Sequence, residues 1–281
     1  MMAARGQTRP MSSERESSGP DVEGARSSDA VICIKSLTKS YDTKTGPLLA
    51  VKDASLDVEA GKCYSLVGPS GCGKSTILKI IAGLTPHERG EVLVLGQPAR
   101  EGRRDVGVMF QTPVLLPWRT VLKNILLPLE VFKESIESGR ARAEELIKLV
   151  GLEGFADKYP WELSGGMQQR AALSRVLVID PDILLMDEPL AALDEFTRER
   201  LVFEISHLHE RLKKSILYVT HDIQEALILS DKVVVMSNHP GEIVGVVDVH
   251  LPRPRTADLL STPEFAHHVG KVRSLLRDTS E

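Results

Sequence analysis

The 281-residue chain is long enough for one large domain, or one domain with a small annex, and its 42% hydrophobic and 26% charged content is that of an ordinary globular protein. A formal net charge of -4 gives no electrostatic reason to hold nucleic acid. No apolar run approaches the ~20 residues needed to cross a bilayer, so any link to a membrane is expected to run through partner proteins.

Residues 1–30 carry Arg, Glu, Ser and Gly but no apolar core of a secretory signal. Glu14, Glu16 and Asp21 interrupt the acid-poor pattern of a transit peptide, so a solvated, disordered tail is expected, with Met11 as an alternative start. Regular structure begins after it. Strands are predicted at Val31–Ile34 and Ala50–Val58, separated by a turn-prone segment at Asp42–Pro47. Cys63–Val67 reads as a strand running into a Gly-rich turn and a helix over Lys74–Ala82, followed by strands at Glu91–Leu95 and Val106–Phe110. Across Thr120–Ser164 the period changes. Val121, Ile125, Leu126 and Leu129 recur at helical spacing, as do Ala141, Leu146, Ile147 and Val150, which predicts a helical insert between two α/β halves.

Beyond Ser164 the alternation resumes, with a helix through Val178, a strand at Ile183–Met186 and a helix at Asp194–Leu212. A strand at Ile216–Val219, a short helix at Gln224–Leu229 and a strand at Val233–Met236 follow. Strands alternating with helices predict a parallel, helix-covered sheet. Phe265, Val269, Val272 and Leu276 predict a small C-terminal helix packed on the domain. Cys33, Cys63 and Cys72 have no metal-ligand spacing and read as isolated buried thiols. His207, His209, His267 and His268 fit no motif and read as surface residues.

Two segments carry chemistry. Gly68, Pro69, Ser70, Gly71, Cys72, Gly73, Lys74 and Ser75, with Thr76 next, satisfy G-x-x-x-x-G-K-[ST] between a strand and a helix, the pattern of a Walker A phosphate loop. Glycines let backbone N–H groups approach phosphate oxygens, and the new helix adds its unpaired N–H groups and positive dipole end. Lys74 adds a charge at the β- and γ-phosphates of ATP, and the Ser75 hydroxyl suits Mg²⁺. A plain Gly-rich turn explains the glycines but not Lys-Ser. The second segment, Ile183–Pro189, is an apolar strand ending in Asp187 and Glu188. Adjacent acids at the end of a buried strand fit a cation and a reacting water: Asp187 as the Mg²⁺ partner, Glu188 polarising the water.

Leu163-Ser164-Gly165-Gly166-Met167-Gln168-Gln169-Arg170 narrows the field. It resembles the LSGGQ-type signature of the ABC ATPases, with Met167 ahead of the glutamine. Ser-Gly-Gly opening a helix makes a second anion-binding helix end. The resemblance implies an α/β P-loop NTPase fold over residues 31–251: a RecA-like parallel-sheet core, an antiparallel β subdomain and a helical subdomain at about 112–165, with a C-terminal extension over 252–281. It implies a head-to-tail homodimer sandwiching two ATP molecules, so that Ser164, Gly165, Gly166 and Gln168 of one copy meet the nucleotide of the other. It also implies Tyr41 stacking on adenine, Gln111 sensing Mg²⁺ and the attacking water, Asp194 in the loop crossing the dimer interface, and His221 touching the γ-phosphate.

The segments Leu115–Val121, His221–Ala226, Ser230–Met236, Pro240–Ile243 and Leu251–Arg255 are similar to ATPase subunits of importers for nitrate, sulfonates, taurine and related solutes. That likeness implies two integral-membrane permease subunits, an extracytoplasmic solute-binding protein, and a peripheral place on the cytoplasmic face of the inner or plasma membrane. Trp118 and Arg119 suit a docking anchor, or a Trp packed in its own helical subdomain. Ala191-Ala192 and Ser174-Arg175-Val176 depart from the commoner family pattern without removing a catalytic group. The competing class is a soluble ABC ATPase that remodels nucleic acid or ribosomes; one cassette, no heptad insert and no basic excess speak against it.

Overall fold

A computed structural model describes residues 29–44 and 46–277. The tail expected over residues 1–30 lies outside them apart from Asp29 and Ala30, and Ala30 already pairs with Glu59 in a strand. Strands β1 (Ala30–Thr43) and β2 (Gly46–Glu59) form a long antiparallel pair. Both run well past the apolar stretches that predict them, because only one face of this sheet is buried and polar residues occupy the other. With β4 (Arg89–Val94) and the two-residue β5 (Gln97–Pro98), absent from the sequence reading, they make a sheet of order β2-β1-β4-β5.

The second sheet has the order β10-β9-β3-β8-β7-β6. Here β3 (Cys63–Val67), β6 (Val106–Met109), β7 (Ile183–Asp187), β8 (Ser215–Thr220) and β9 (Lys232–Met236) run parallel. β3, β7 and β8 are buried along their whole length, as strands covered by helices on both faces must be. The edge strand β10 (Ile243–Asp248) is antiparallel to β9 and goes unread in the sequence. Gly245 breaks its apolar run, and Val244 and Val246 face outward.

Helix α1 (Lys74–Ile81) packs between the two sheets with Ile77, Leu78, Ile80 and Ile81 in the core. The insert folds as α2 (Val121–Ile125), α3 (Leu127–Val131) and α4 (Ile136–Leu149). On α4 the buried face is Ala143, Leu146 and Ile147; Ala141, taken from periodicity as part of that face, is exposed. Helices α5 (Gly165–Leu177) and α6 (Glu195–Leu212) bind the insert to the sheet. Helix α7 (Ile223–Leu229) and the C-terminal α8 (Pro263–Arg277) close the other end. Among the described residues no helix is long and apolar enough to cross a membrane.

Two histidines read as surface residues are buried. His209 lies on the inner face of α6, where burial lowers its pKa and favours the neutral ring. His268 faces inward from α8, its Nδ1 on the Glu264 carbonyl at 2.9 Å and its Nε2 accepting from the His250 N–H at 3.4 Å. His207 and His267 are exposed, as expected. Of the thiols, Cys63 and Cys72 are buried, whereas Cys33 is only partly so.

The Leu251–Arg255 segment has a physical role. Buried Arg255 donates from one terminal nitrogen to the carbonyls of Leu227, Ile228 and Ser230, at 2.8, 2.9 and 2.8 Å. Arg253 adds the Leu229 carbonyl at 3.0 Å and the Asp231 carboxylate at 3.2 Å. These are the carbonyls that a helix C-terminus leaves unpaired, so the two arginines cap α7. Burial lowers Arg255 to about 10, which leaves it charged at neutral pH. Arg255→Met is expected to lower stability by about 3 kcal/mol, since it strips buried carbonyls of charge-assisted partners. A thermal unfolding midpoint equal to the parent's would contradict this.

Candidate nucleotide site

The site assembles where neighbouring parallel strands end. The loop Gly68–Gly73 follows β3, Asp187 ends β7, Gln111 follows β6 and His221 follows β8. In a helix-covered parallel sheet the carboxyl ends of the strands form the natural crevice for a ligand. A cavity of about 310 Å³ opens there, lined by Ser70, Gly71, Gly73, Lys74, Ser75, Thr76, Gln111, Asp187 and Glu188.

Each wall has a local cause. Gly73 caps α1 with φ 101°, and a Cβ there would stand 2.7 Å from the Ala50 carbonyl oxygen. Only glycine fits, and no side chain caps the helix, so the first-turn N–H groups stay available to an anion. Lys74 is 4% exposed and donates to the carbonyls of Gly68 and Pro69, both at 2.8 Å. Its charge is thus held inside its own loop. The Ser75 hydroxyl donates to Asp187 Oδ1 at 2.7 Å, which joins two hard oxygen donors across 112 residues of sequence.

Glu188 has φ 44°, the left-handed region that a side chain rarely adopts. Its N–H donates to the Val219 carbonyl at 3.0 Å, which holds the turn and aims the carboxylate away from the strand. Glu188 Oε2 lies 3.4 Å from His221 Nδ1. Tyr41 stands beside the helix start, its hydroxyl 3.3 Å from Thr76 Oγ1 and its ring partly open to solvent.

Ser164, Gly165, Gly166, Gln168 and Asp194 do not line this cavity. Ser164 caps α5 and accepts from the Met167 N–H at 3.3 Å; Ser164 and Gly165 are exposed. Gly166 lets α5 approach α6, since a Cβ would meet Thr197 Cγ2 at 2.8 Å. Gln168 turns back onto the Pro160 carbonyl at 2.9 Å. Asp194 caps α6 by accepting from the Thr197 N–H at 3.1 Å, a bond that lowers its carboxyl pKa.

Sequence reasoning missed four supporting residues. Buried Gln169 of α5 donates to the Gln111 carbonyl at 2.9 Å, and Arg175 donates to the carbonyls of Val114 and Pro113 at 2.7 and 2.8 Å. The helix opened by Ser164 therefore holds the loop after β6. Glu225 accepts from Thr220 at 2.8 Å and Tyr218 at 3.1 Å, fixing α7 to β8 around His221; burial raises its pKa. Their only sequence signal is polarity on otherwise apolar faces. Gly241 is the fourth. A Cβ there would lie 1.8 Å from the Cys72 carbonyl oxygen, so the turn after β9 presses on the phosphate loop. Gly241→Ala is expected to weaken MgATP binding by ~10-fold or more, because the loop must shift. Nucleotide titration of the folded variant checks this, and unchanged affinity would contradict it.

Comparison with known proteins identifies a family. Residues 51–191 match the family described as ABC transporter. The chain is 43% identical over 245 residues to an uncharacterised ABC transporter ATP-binding protein of Methanocaldococcus jannaschii, covering 87% of this chain and 91% of that one. It is 39% identical over 238 residues to the aliphatic sulfonates import ATP-binding protein of Bacillus cereus, covering 85% and 94%. Against the nitrate import ATP-binding protein of Synechococcus elongatus it is 43% identical over 224 residues, 78% of this chain and 34% of that longer one. A dimeric ATP-binding cassette in a post-hydrolysis state with ADP and Pi superposes with a TM-score of 0.69 at 35% identity, covering 79% of this chain and 100% of that one. The strand-end cavity, the phosphate loop and these likenesses converge: the chain belongs to the ABC transporter family and is an ATP-binding, ATP-hydrolysing subunit with a P-loop ABC ATPase fold.

Proposed function

We propose that this ATPase powers uptake of a small solute, of the nitrate, sulfonate or taurine kind, through two separate integral-membrane permease subunits. In this reading the chain sits peripherally on the cytoplasmic face of the membrane, and an extracytoplasmic binding protein delivers the solute. The observation that carries it is the surface beside Gln111. Trp118 is 70% exposed and Val114 is 56% exposed, on the loop that Gln169 and Arg175 tie to α5. A large exposed aromatic on a braced loop fits a docking site for a partner helix and does not fit a Trp packed in its own subdomain. Arg119 is engaged with Glu130 at 2.8 Å, so Trp118 is the anchor. The names of the sulfonate and nitrate relatives support the solute class.

Within the site, Lys74 and the first-turn N–H groups of α1 bind the polyphosphate, and Tyr41 gives adenine a flat face. Ser75, Asp187 and Gln111 are the residues that would hold Mg²⁺; Ser75 and Asp187 already meet through oxygen atoms, the donors this cation prefers. Mg²⁺ held there would supply neutralisation of the charge on the phosphates. Glu188 polarises the attacking water, and His221, in contact with it, faces the terminal phosphate. The exposed Ser164–Gly165 helix end serves the nucleotide of a second copy, with Gly166, Gln168 and Asp194 shaping that contact. Closing of the homodimer on ATP and reopening after hydrolysis would switch the permeases between two accessible states.

Affinity purification of the full chain from detergent-extracted membranes tests the import reading. Recovery with a polytopic protein, lost on Trp118→Ala, is expected. Recovery without any polytopic partner would overturn it.

A further inference from the structure

The C-terminal helix ends beside the phosphate loop. Phe265, His268 and Val272 of α8 are buried, and Leu275 packs on Gly245 of β10, where a Cβ would meet its Cδ1 at 3.0 Å. These contacts fix the helix by its inner face. Arg273 and Arg277, one turn apart, lie on one ridge of the helix. With Leu276 they border an open cleft of about 590 Å³ whose other wall runs from Val67 to Ser70 and includes His221. Both arginines are exposed, and neither side chain has a hydrogen bond or ion pair among the described residues.

The helix dipole accounts for a cation at Arg277, in the last turn of α8. It does not account for Arg273 a turn earlier, where two like charges on one ridge repel. An anion between them removes that repulsion, and paired guanidinium groups suit an oxyanion. Position says which. Ser70 lines both this cleft and the nucleotide cavity, and His221 joins the cleft to Glu188 at 3.4 Å. The cleft therefore opens from the side of the cavity on which Glu188 stands.

We infer that this cleft is a binding site for a tetrahedral oxyanion, with inorganic phosphate set free by hydrolysis as its ordinary occupant. Arg273 and Arg277 hold the phosphate after it passes His221 and before it reaches solvent. The inference rests on the hydrolytic activity and not on the import reading.

The test uses the full chain saturated with MgADP, so that the loop itself is filled, and titrates inorganic phosphate by calorimetry. Arg273→Gln with Arg277→Gln is expected to weaken phosphate binding ~10-fold or more while MgADP affinity stays within about twofold. The corresponding double lysine variant should recover part of the loss. A second arm follows phosphate release in a single turnover with a fluorescent phosphate reporter. Faster release from the glutamine variant assigns the site to the hydrolysis product. Equal release rates, with sulfate binding as phosphate does, assign it to oxyanions from solution. Equal phosphate affinity in parent and glutamine variant overturns the site, as does a parent that binds no phosphate. A parallel fall in MgADP affinity also overturns it, by placing the arginines on the nucleotide.

Discussion

Glu188→Gln is expected to leave MgATP binding intact or tighter and to cut turnover by about 10²–10⁴-fold, the range for losing a positioned general base. The backbone is the reason. Glu188 follows the buried strand β7 at φ 44°, and the bond from its N–H to Val219 ties that turn to β8. A strained turn at the end of a rigid strand fixes where the carboxylate points, and the side chain meets the cavity rather than the core. Glutamine keeps the volume and the turn but cannot accept a proton from water. Because Asp187, Ser75 and Lys74 are untouched, the nucleotide should still bind, and a closed, ATP-filled dimer should accumulate. Steady-state hydrolysis equal to the parent's would remove Glu188 from the role of base.

Lys74→Ala should act on binding itself. The ammonium is the cation lining the cavity, and it is held by carbonyls of its own loop at 2.8 Å. In the proposed function those bonds are exchanged for phosphate oxygens when ATP enters, so the loop is poised rather than empty of charge. Losing a buried charge-assisted contact to a polyphosphate is expected to weaken MgATP binding about 100-fold, roughly 2.7 kcal/mol. The variant's unfolding midpoint must be measured alongside, since Gly68 and Pro69 also lose a donor. A folded variant with unaltered MgATP affinity would contradict the assignment.

The contrast between these two residues shows what was readable from sequence. Lys74 and Ser75 declare themselves, because a strand, a Gly-rich turn and a helix start leave few other uses for Lys-Ser. Asp187 and Glu188 declare themselves as acids ending an apolar strand. The order of the parallel strands is not readable, yet it is what brings Gln111 and Asp187 to one cavity and sets His221 beside Glu188. Strand order is set by long-range packing, which period and propensity do not encode. The same limit hid Gln169, Glu225 and Gly241. Each acts through a backbone carbonyl or a neighbouring element far away in sequence, and each looks ordinary among its neighbours. Periodicity also puts Ala141 on the buried face of its segment, whereas on α4 that face is Ala143, Leu146 and Ile147. His209 and His268 fit no motif and so read as surface residues; the packing of α6 and α8 turns both inward.

The exposed signature end of α5 does not line its own chain's cavity, and the proposed homodimer builds one catalytic site from two chains. Mixing two inactive variants tests it directly. Lys74→Ala disables a chain's own loop, and Ser164→Arg blocks its helix end. A mixed dimer retains one site with an intact loop from one chain and an intact Ser164 from the other. Measured ATP hydrolysis should be near background for each variant alone and should reappear on mixing, in proportion to the mixed dimer formed. Hydrolysis by the Ser164→Arg chain alone at the parent's rate, or no recovery in a mixture shown to contain mixed dimers, would contradict the composite site.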